Sequence, residues 1–187
     1  VVTGGEVLET ARKTVTVALS ERTQSLPPAG PTLFTAIPKG DRFRWLVEKA
    51  TELGVTKLFP LETRRSVVSP GDRKLEKLSQ TVIAACKQSR QNWLLELAPV
   101  ISLEQSLEQL ADFETVLLAH PTGESLGSLE IEDARPPAIF VGPEGGFEES
   151  EVELLIERGA TRVSLGDSIL RTETAGIALA AWWQLIK

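Results

Sequence analysis

Ala138-Ile-Phe-Val-Gly-Pro-Glu-Gly-Gly-Phe147 passes from four apolar residues into a glycine-rich turn, and from Glu149 the pattern is helical until Gly159. A short apolar run bounded by turn formers reads as a strand covered on both faces, and such strands belong to parallel sheets flanked by helices. Working outward, Leu33–Ile37, Val55–Leu61, Leu95–Val100, Thr115–Ala119 and Val163–Leu165 read as further strands. Between them lie helical patterns. Asp41 can cap a helix whose apolar face is Phe43, Leu46, Val47, Ala50 and Leu53, with Gly54 in the C′ position. Asp72 opens a helix reading Leu75, Leu78, Val82, Ala85 and Cys86, and Ser102-Leu-Glu-Gln105 is a capping box for a helix to Leu110. Thr172–Ile186 is the final helix. The alternation predicts an α/β fold, a mostly parallel sheet with helices on both faces.

Ahead of this pattern, Thr14–Glu21 alternates in the manner of a half-buried strand, with Val15, Val17 and Leu19 on one side. Ser25-Leu-Pro-Pro-Ala-Gly-Pro31 cannot continue it, because prolines fix φ and supply no ladder donor. We therefore divide the chain into residues 1–28, the tail of a small β module with its linker, and residues 29–187, the main domain. The lack of an initial Met fits a start that is not the native one.

Composition narrows the chemistry. The 187 residues are 42% hydrophobic and 25% charged, the balance of an ordinary globular chain. No apolar run reaches the roughly 20 residues of a membrane helix, and the first residues lack the pattern of a signal peptide. A cytoplasmic protein without membrane contact is expected. One Cys and one His leave little from which to build a metal site, and none is expected. Charge is uneven: residues 39–90 carry twelve basic and six acidic side chains, whereas residues 91–187 carry five and seventeen. On charge alone the basic segment fits a solvated helix face and a nucleic-acid face equally.

In a parallel sheet, ligands sit beyond the carboxyl ends of strands. Three such exits carry information: Leu118-Ala-His-Pro121, Gly142–Phe147, and Ser164-Leu-Gly-Asp-Ser-Ile-Leu-Arg-Thr-Glu-Thr-Ala175. Gly142–Gly146 is neither a phosphate loop nor the dinucleotide fingerprint; it either brings backbone amides close to a ligand or simply permits a turn. In the third exit Thr172 can cap the last helix, leaving free amides for a polar ligand, and Ile169 and Leu170 could cover an adenine face.

Gly142-Pro-Glu-Gly-Gly-Phe147 together with Ser164–Ala175 resembles the SPOUT class of knotted RNA methyltransferases. Within it, the chain is most similar to the bacterial 16S ribosomal RNA uridine-N3 methyltransferases. Pro38-Lys-Gly-Asp-Arg42, Glu48-Lys-Ala-Thr-Glu-Leu-Gly54 and Arg64-Arg-Ser-Val-Val68 fit the same family. The resemblance implies a C-terminal trefoil knot, an N-terminal PUA-like RNA-binding β-barrel of which residues 1–28 are a remnant, and a working homodimer. It also implies S-adenosyl-L-methionine as cofactor and 16S ribosomal RNA or the small ribosomal subunit as partner.

Carried onto this sequence, the resemblance assigns cofactor binding to Leu118, Ala119, His120, Gly142, Pro143, Glu144, Gly145, Gly146, Leu165, Gly166, Ile169, Leu170, Thr172 and Thr174. Lys39, Arg42, Arg64, Arg65, Lys87 and Arg90 are the RNA-contact candidates. Arg171 is the leading catalytic candidate, since a guanidinium beside the uracil carbonyls would stabilise the anion left when N3 loses its proton. Glu144 is the candidate base, although it could equally bind the cofactor ribose or hold the loop. Glu173 is expected to orient Arg171 or to cap. His120 is read as structural or solvent-facing and Cys86 as a buried hydrophobe. Trp182-Trp183 can be core or a dimer seam. Two other readings stay in play: a different α/β enzyme such as a nucleotide-dependent oxidoreductase, whose fingerprint is absent, and a noncatalytic RNA-binding or ribosome-assembly protein on the same fold.

Overall fold

A computed structural model describes residues 2–23, 26–67, 72–129 and 135–186. Two antiparallel strands, β1 (Val2–Thr10) and β2 (Val15–Thr23), form a hairpin of their own. The sequence pattern predicts β2 alone; β1 escapes it because Gly4-Gly5 and two register shifts, at Gly4/Gly5 and Val7/Glu9, break the alternation. The expected half-burial of β2 is corrected as well. Val15, Val17 and Leu19 are exposed, because a two-stranded ribbon leaves both faces open. Of the proline-rich stretch, Ser25 lies outside the described residues, 26–29 are exposed, and burial begins at Gly30.

The main sheet contains β3 (Thr32–Ala36), β4 (Lys57–Glu62), β5 (Glu96–Leu97), β6 (Ile101–Ser102), β7 (Val116–Ser125), β8 (Ala138–Val141) and β9 (Ala160–Ser164). Its order is β5-β4-β3-β8-β7-β9, with β6 also on β4, and every pairing is parallel. The strand expected over Leu95–Val100 is thus confined to Glu96–Leu97, and a second short strand follows it at Ile101–Ser102. Helices α1 (Arg42–Glu52), α2 (Asp72–Ser89) and α5 (Thr172–Ile186) cover one face; α3 (Leu103–Glu108) and α4 (Glu149–Glu157) cover the other. Strand alternation feeds both layers, so Leu33 and Ile139 enter the first and Phe34 and Phe140 the second.

In the second layer an in-register parallel ladder sets Phe34 opposite both Phe59 and Phe140. Their rings stack with centroids 4.8 and 4.6 Å apart and planes within 4°. This three-ring column joins the central strands β4, β3 and β8.

Local signals explain the helix ends. Gly54 adopts φ +72°, and the bonds Gly54 N to Thr51 O (3.1 Å) and Val55 N to Ala50 O (3.0 Å) complete a Schellman motif. Gln91 donates to the carbonyls of Glu52 and of Thr51, which also accepts Gly54 N, and Gln184 donates to that of Leu53. The Ser102 capping box forms as expected. Asp41 occupies the N-cap of α1 but makes no side-chain cap bond; its backbone is already helical (ψ −2°), whereas a capping side chain needs an extended one. Leu78, Val82, Ala85 and Cys86 of α2 are buried, while the side chains of Asp72 and Leu75 lie outside the described residues. Among the described residues no helix is long and apolar enough to cross a membrane.

Candidate active site

Strands β8, β7 and β9 are neighbours in the sheet, so their carboxyl ends open side by side. The segments that follow converge on one cavity of about 660 Å³, lined by Ala119–Thr122, Val141–Phe147 and Val163–Leu170, with Arg65, Thr172 and Ala175. Phe147, Leu165 and Ile169, far apart in sequence, share this hollow.

The first wall is not the simple loop that the sequence suggests. β7 continues to Ser125, but Ala119 and Glu124 both pair with Val163, so residues 120–123 bulge out of the ladder at the cavity mouth. Within this bulge His120 Nδ1 lies 2.9 Å from Thr122 Oγ1 and accepts the Thr122 amide at 3.3 Å. An Nδ1 acceptor places the ring proton of the neutral imidazole on Nε2. Leu118 is fully buried in the strand behind the wall and does not line the cavity.

The second wall is the glycine-rich turn, closed by Gly146 N donating to Pro143 O at 2.8 Å. A Cβ on Gly142 would meet the Phe147 ring at 2.9 Å, so glycine is required there for Phe147 to fold back over the strand end.

The third wall ends at α5. Thr172 does not use its hydroxyl as a cap; it donates to Gly142 O at 2.9 Å and so ties the second wall to the third. Arg171 O accepts the Ala175 amide, making Arg171 the residue at which the helix begins. Arg171 is exposed, and neither it nor the exposed Thr174 lines the cavity. The other cofactor-binding candidates, from Ala119 and His120 through Gly142–Gly146 to Leu165, Gly166, Ile169, Leu170 and Thr172, all do. So do Pro121, Asp167 and Ser168, which lie within the quoted strand-exit motifs, and Thr122, which follows the first of them.

Charged groups brace the glycine turn from outside. Arg42 lies 3.2 Å from Glu144 and 3.8 Å from Glu173, with its Nε donating to Lys39 O. Glu173 is therefore turned toward Arg42 and not toward Arg171, the partner expected from sequence. It is buried, and its Oε2 has no hydrogen-bond partner among the described residues. Arg65 Nη1 donates to Gly145 O at 2.9 Å and to Phe147 O at 3.4 Å. Arg64 lies 3.7 Å from Glu148, and its amide donates to the buried Glu151, which also receives the Glu148 amide and caps α4. Of the RNA-contact candidates, Arg65 lines the cavity, Arg42 and Arg64 pair with Glu144 and Glu148 beside it, Lys39 meets Arg42 through its carbonyl, and Lys87 and Arg90 are exposed at the end of α2.

Two further residues resolve simply. Cys86 is buried and donates to Trp93 O, and burial pushes its thiol pKa up. Trp183 is buried, and the partly buried Trp182 packs against the first core layer.

A cavity at adjacent strand exits is where open α/β sheets hold their ligands. Residues 27–184 match the model of the RNA methyltransferase domain, and the chain belongs to that family. It is 38% identical over 159 residues to Ribosomal RNA small subunit methyltransferase E of Synechocystis sp., a match covering 82% of this chain and 52% of that protein. The protein of the same name from Bacillus subtilis is 37% identical over 160 residues, covering 79% of this chain and 62% of its own length. The chain thus spans between half and two thirds of these curated relatives. Among solved structures, Ribosomal RNA small subunit methyltransferase E from Neisseria gonorrhoeae bound to S-adenosyl methionine superposes with a TM-score of 0.87 at 29% identity, covering 98% of this chain and 78% of that one.

Proposed function

We propose that residues 29–187 form the catalytic domain of an S-adenosyl-L-methionine-dependent methyltransferase that modifies N3 of a uridine in 16S ribosomal RNA. The observation that carries this reading is the convergence of three strand exits on one cavity of about 660 Å³. That volume lies in the range of small-molecule sites, and the walls combine apolar side chains with close-approaching backbone, as such sites require. Phe147, Ile169 and Leu170 offer flat apolar contact for a purine, and the turns at Gly142–Gly146 and Leu165–Gly166 offer main-chain donors and acceptors. The residues present fit the cofactor.

When bound, S-adenosylmethionine supplies an electrophilic methyl group on its sulfonium. The protein therefore needs no covalent nucleophile, and its tasks are orientation and removal of one proton. Glu144, on the cavity wall, accepts the N3 proton of the uracil in this reading, and Arg42 fixes where its carboxylate points. Glu173 holds Arg42 from the buried side. Arg171, exposed at the start of α5, stabilises the negative charge that spreads onto the uracil carbonyls. A uridine held in folded RNA has to leave its stack to reach these groups.

The same reading includes finer features. The segment leading to α5 is threaded as a trefoil knot, the β1–β2 hairpin belongs to a PUA-like RNA-binding barrel, and the cytoplasmic working unit is a homodimer. The exposed apolar side chains of the hairpin, Val7 and Leu19 among them, favour its being part of a larger β unit.

The experiment is transfer of an isotopically labelled methyl group from S-adenosylmethionine to small-subunit ribosomal RNA, free and in assembled subunits, followed by nucleoside mass spectrometry. Label in N3-methyluridine, lost in Arg171→Ala, supports the reading. Cofactor-independent RNA binding without label in the wild type would establish the noncatalytic alternative.

A further inference from the structure

We infer that Arg65 is a positioning residue that joins the RNA face to the cofactor cavity, so that binding of the polyanion and binding of the cofactor strengthen each other. The inference rests on the function proposed above and goes beyond it in assigning this residue and this coupling.

The glycine turn has few handles of its own. Gly145 and Gly146 carry no side chains, and glycine loses more backbone freedom on ordering than other residues do. One end of the turn is held by Thr172 on Gly142 O. At the other end the hold comes from Arg65, whose Nη1 reaches the carbonyls of Gly145 and Phe147.

Arg65 is itself well placed to act as a tie. It sits in a turn just past β4, where Ser66 N donates to Thr63 O and Thr63 N to Ser66 Oγ, both at 3.0 Å. The preceding amide, that of Arg64, is bonded to the buried Glu151 at 2.9 Å. The turn and the start of α4 therefore form one braced unit, and the Arg65 side chain spans from it to the cavity lip.

A guanidinium has five N–H donors on a rigid plane, and a carbonyl pair on Nη1 leaves donors on its other edges. The Arg65 side chain is 49% exposed, with its Nε 4.0 Å from Glu148. A phosphate at the rim can bind Nη2 while the carbonyls keep Nη1 and Glu148 stays beside Nε. Holding the guanidinium in this way lowers the ordering penalty of the turn, which the cofactor then need not meet. By linkage the effect is reciprocal: the cofactor orders Arg65 for RNA. A lysine ammonium is a point charge without separate edges and cannot make both contacts in this way.

Two measurements test this. In the ligand-free protein, amide hydrogen exchange over residues 143–148 is compared for the wild type, Arg65→Ala and Arg65→Lys. Loss of the tie is expected to speed exchange there about tenfold in Arg65→Ala, the scale of one charge-assisted hydrogen bond, with β3 and β8 unchanged. Calorimetric titration with S-adenosylmethionine is then run with and without small-subunit ribosomal RNA. RNA is expected to tighten cofactor binding in the wild type and to have no such effect in either variant, although Arg65→Lys keeps part of the RNA affinity. Unchanged exchange in Arg65→Ala, with only RNA affinity reduced, would overturn the inference and leave Arg65 a phosphate contact. Equal coupling in the wild type and Arg65→Ala would overturn it too. If the wild type binds no S-adenosylmethionine, the proposed function fails, whereas the exchange comparison still decides whether Arg65 holds the turn.

Discussion

Thr172 at the start of α5 donates its hydroxyl to the carbonyl of Gly142 at 2.9 Å, closing a gap of 30 residues between two walls of the cavity. Thr172 is 3% exposed, so little water reaches this bond. Replacing it by the near-isosteric valine leaves a carbonyl without this donor, and we expect a loss of about 1 kcal/mol in stability. Thr172→Ser restores the donor and should recover most of it. Urea denaturation of the three proteins checks this, and equal stability of the valine and serine variants would contradict it.

The Arg42–Glu173 pair makes an asymmetric prediction. Arg42→Ala removes the only ion-pair partner that Glu173 has among the described residues and strands a buried carboxylate, which should cost about 1–3 kcal/mol. Glu173→Gln removes the charge and should cost less. The double variant Arg42→Ala/Glu173→Gln should therefore be more stable than Arg42→Ala alone, in a double-mutant cycle by chemical denaturation.

The phenylalanine column carries a larger share of the core. Phe34 is fully buried between Phe59 and Phe140, so Phe34→Ala opens a cavity where both neighbours lose a stacking partner. We expect a loss of about 3–5 kcal/mol, read by denaturant unfolding.

Stability should also fall in alkali through Cys86. Burial raises the thiol pKa in the folded chain above its ordinary 9.0, so the unfolded chain releases this proton first. The contribution is complete below about pH 9 and declines as pH rises through and above that value. The stability gap between the wild type and Cys86→Ala should be constant well below about pH 9 and narrow as pH rises above it. A gap that stays independent of pH through that rise would remove Cys86 as its source.

Elements whose signals are local were legible in the sequence: the Schellman glycine at Gly54, the Ser102 capping box and the apolar strand Ala138–Val141 all form where the pattern puts them. The continuation of β7 was not legible. His120-Pro-Thr-Gly123 has turn composition, and only the return of Glu124 to Val163 shows it as a bulge within a strand. The capping box of α4 escaped notice because Glu148 is an unusual N-cap residue. Within the site, the strand-exit motifs named the walls, but the bracing came from far away. Arg42 and Arg65 read as surface charge because their partners, Glu144, Glu173 and the Gly145 carbonyl, stand at least 80 residues further along the chain.

The central claim is that one ligand touches all three strand exits at once. A crystal of the chain soaked with S-adenosylmethionine tests it most directly. We expect density for the nucleoside between Phe147, Leu165 and Ile169, in contact with the main chain of Gly142–Gly146. Density at any other place on the molecule, or a cavity still empty at saturating ligand, would contradict the account.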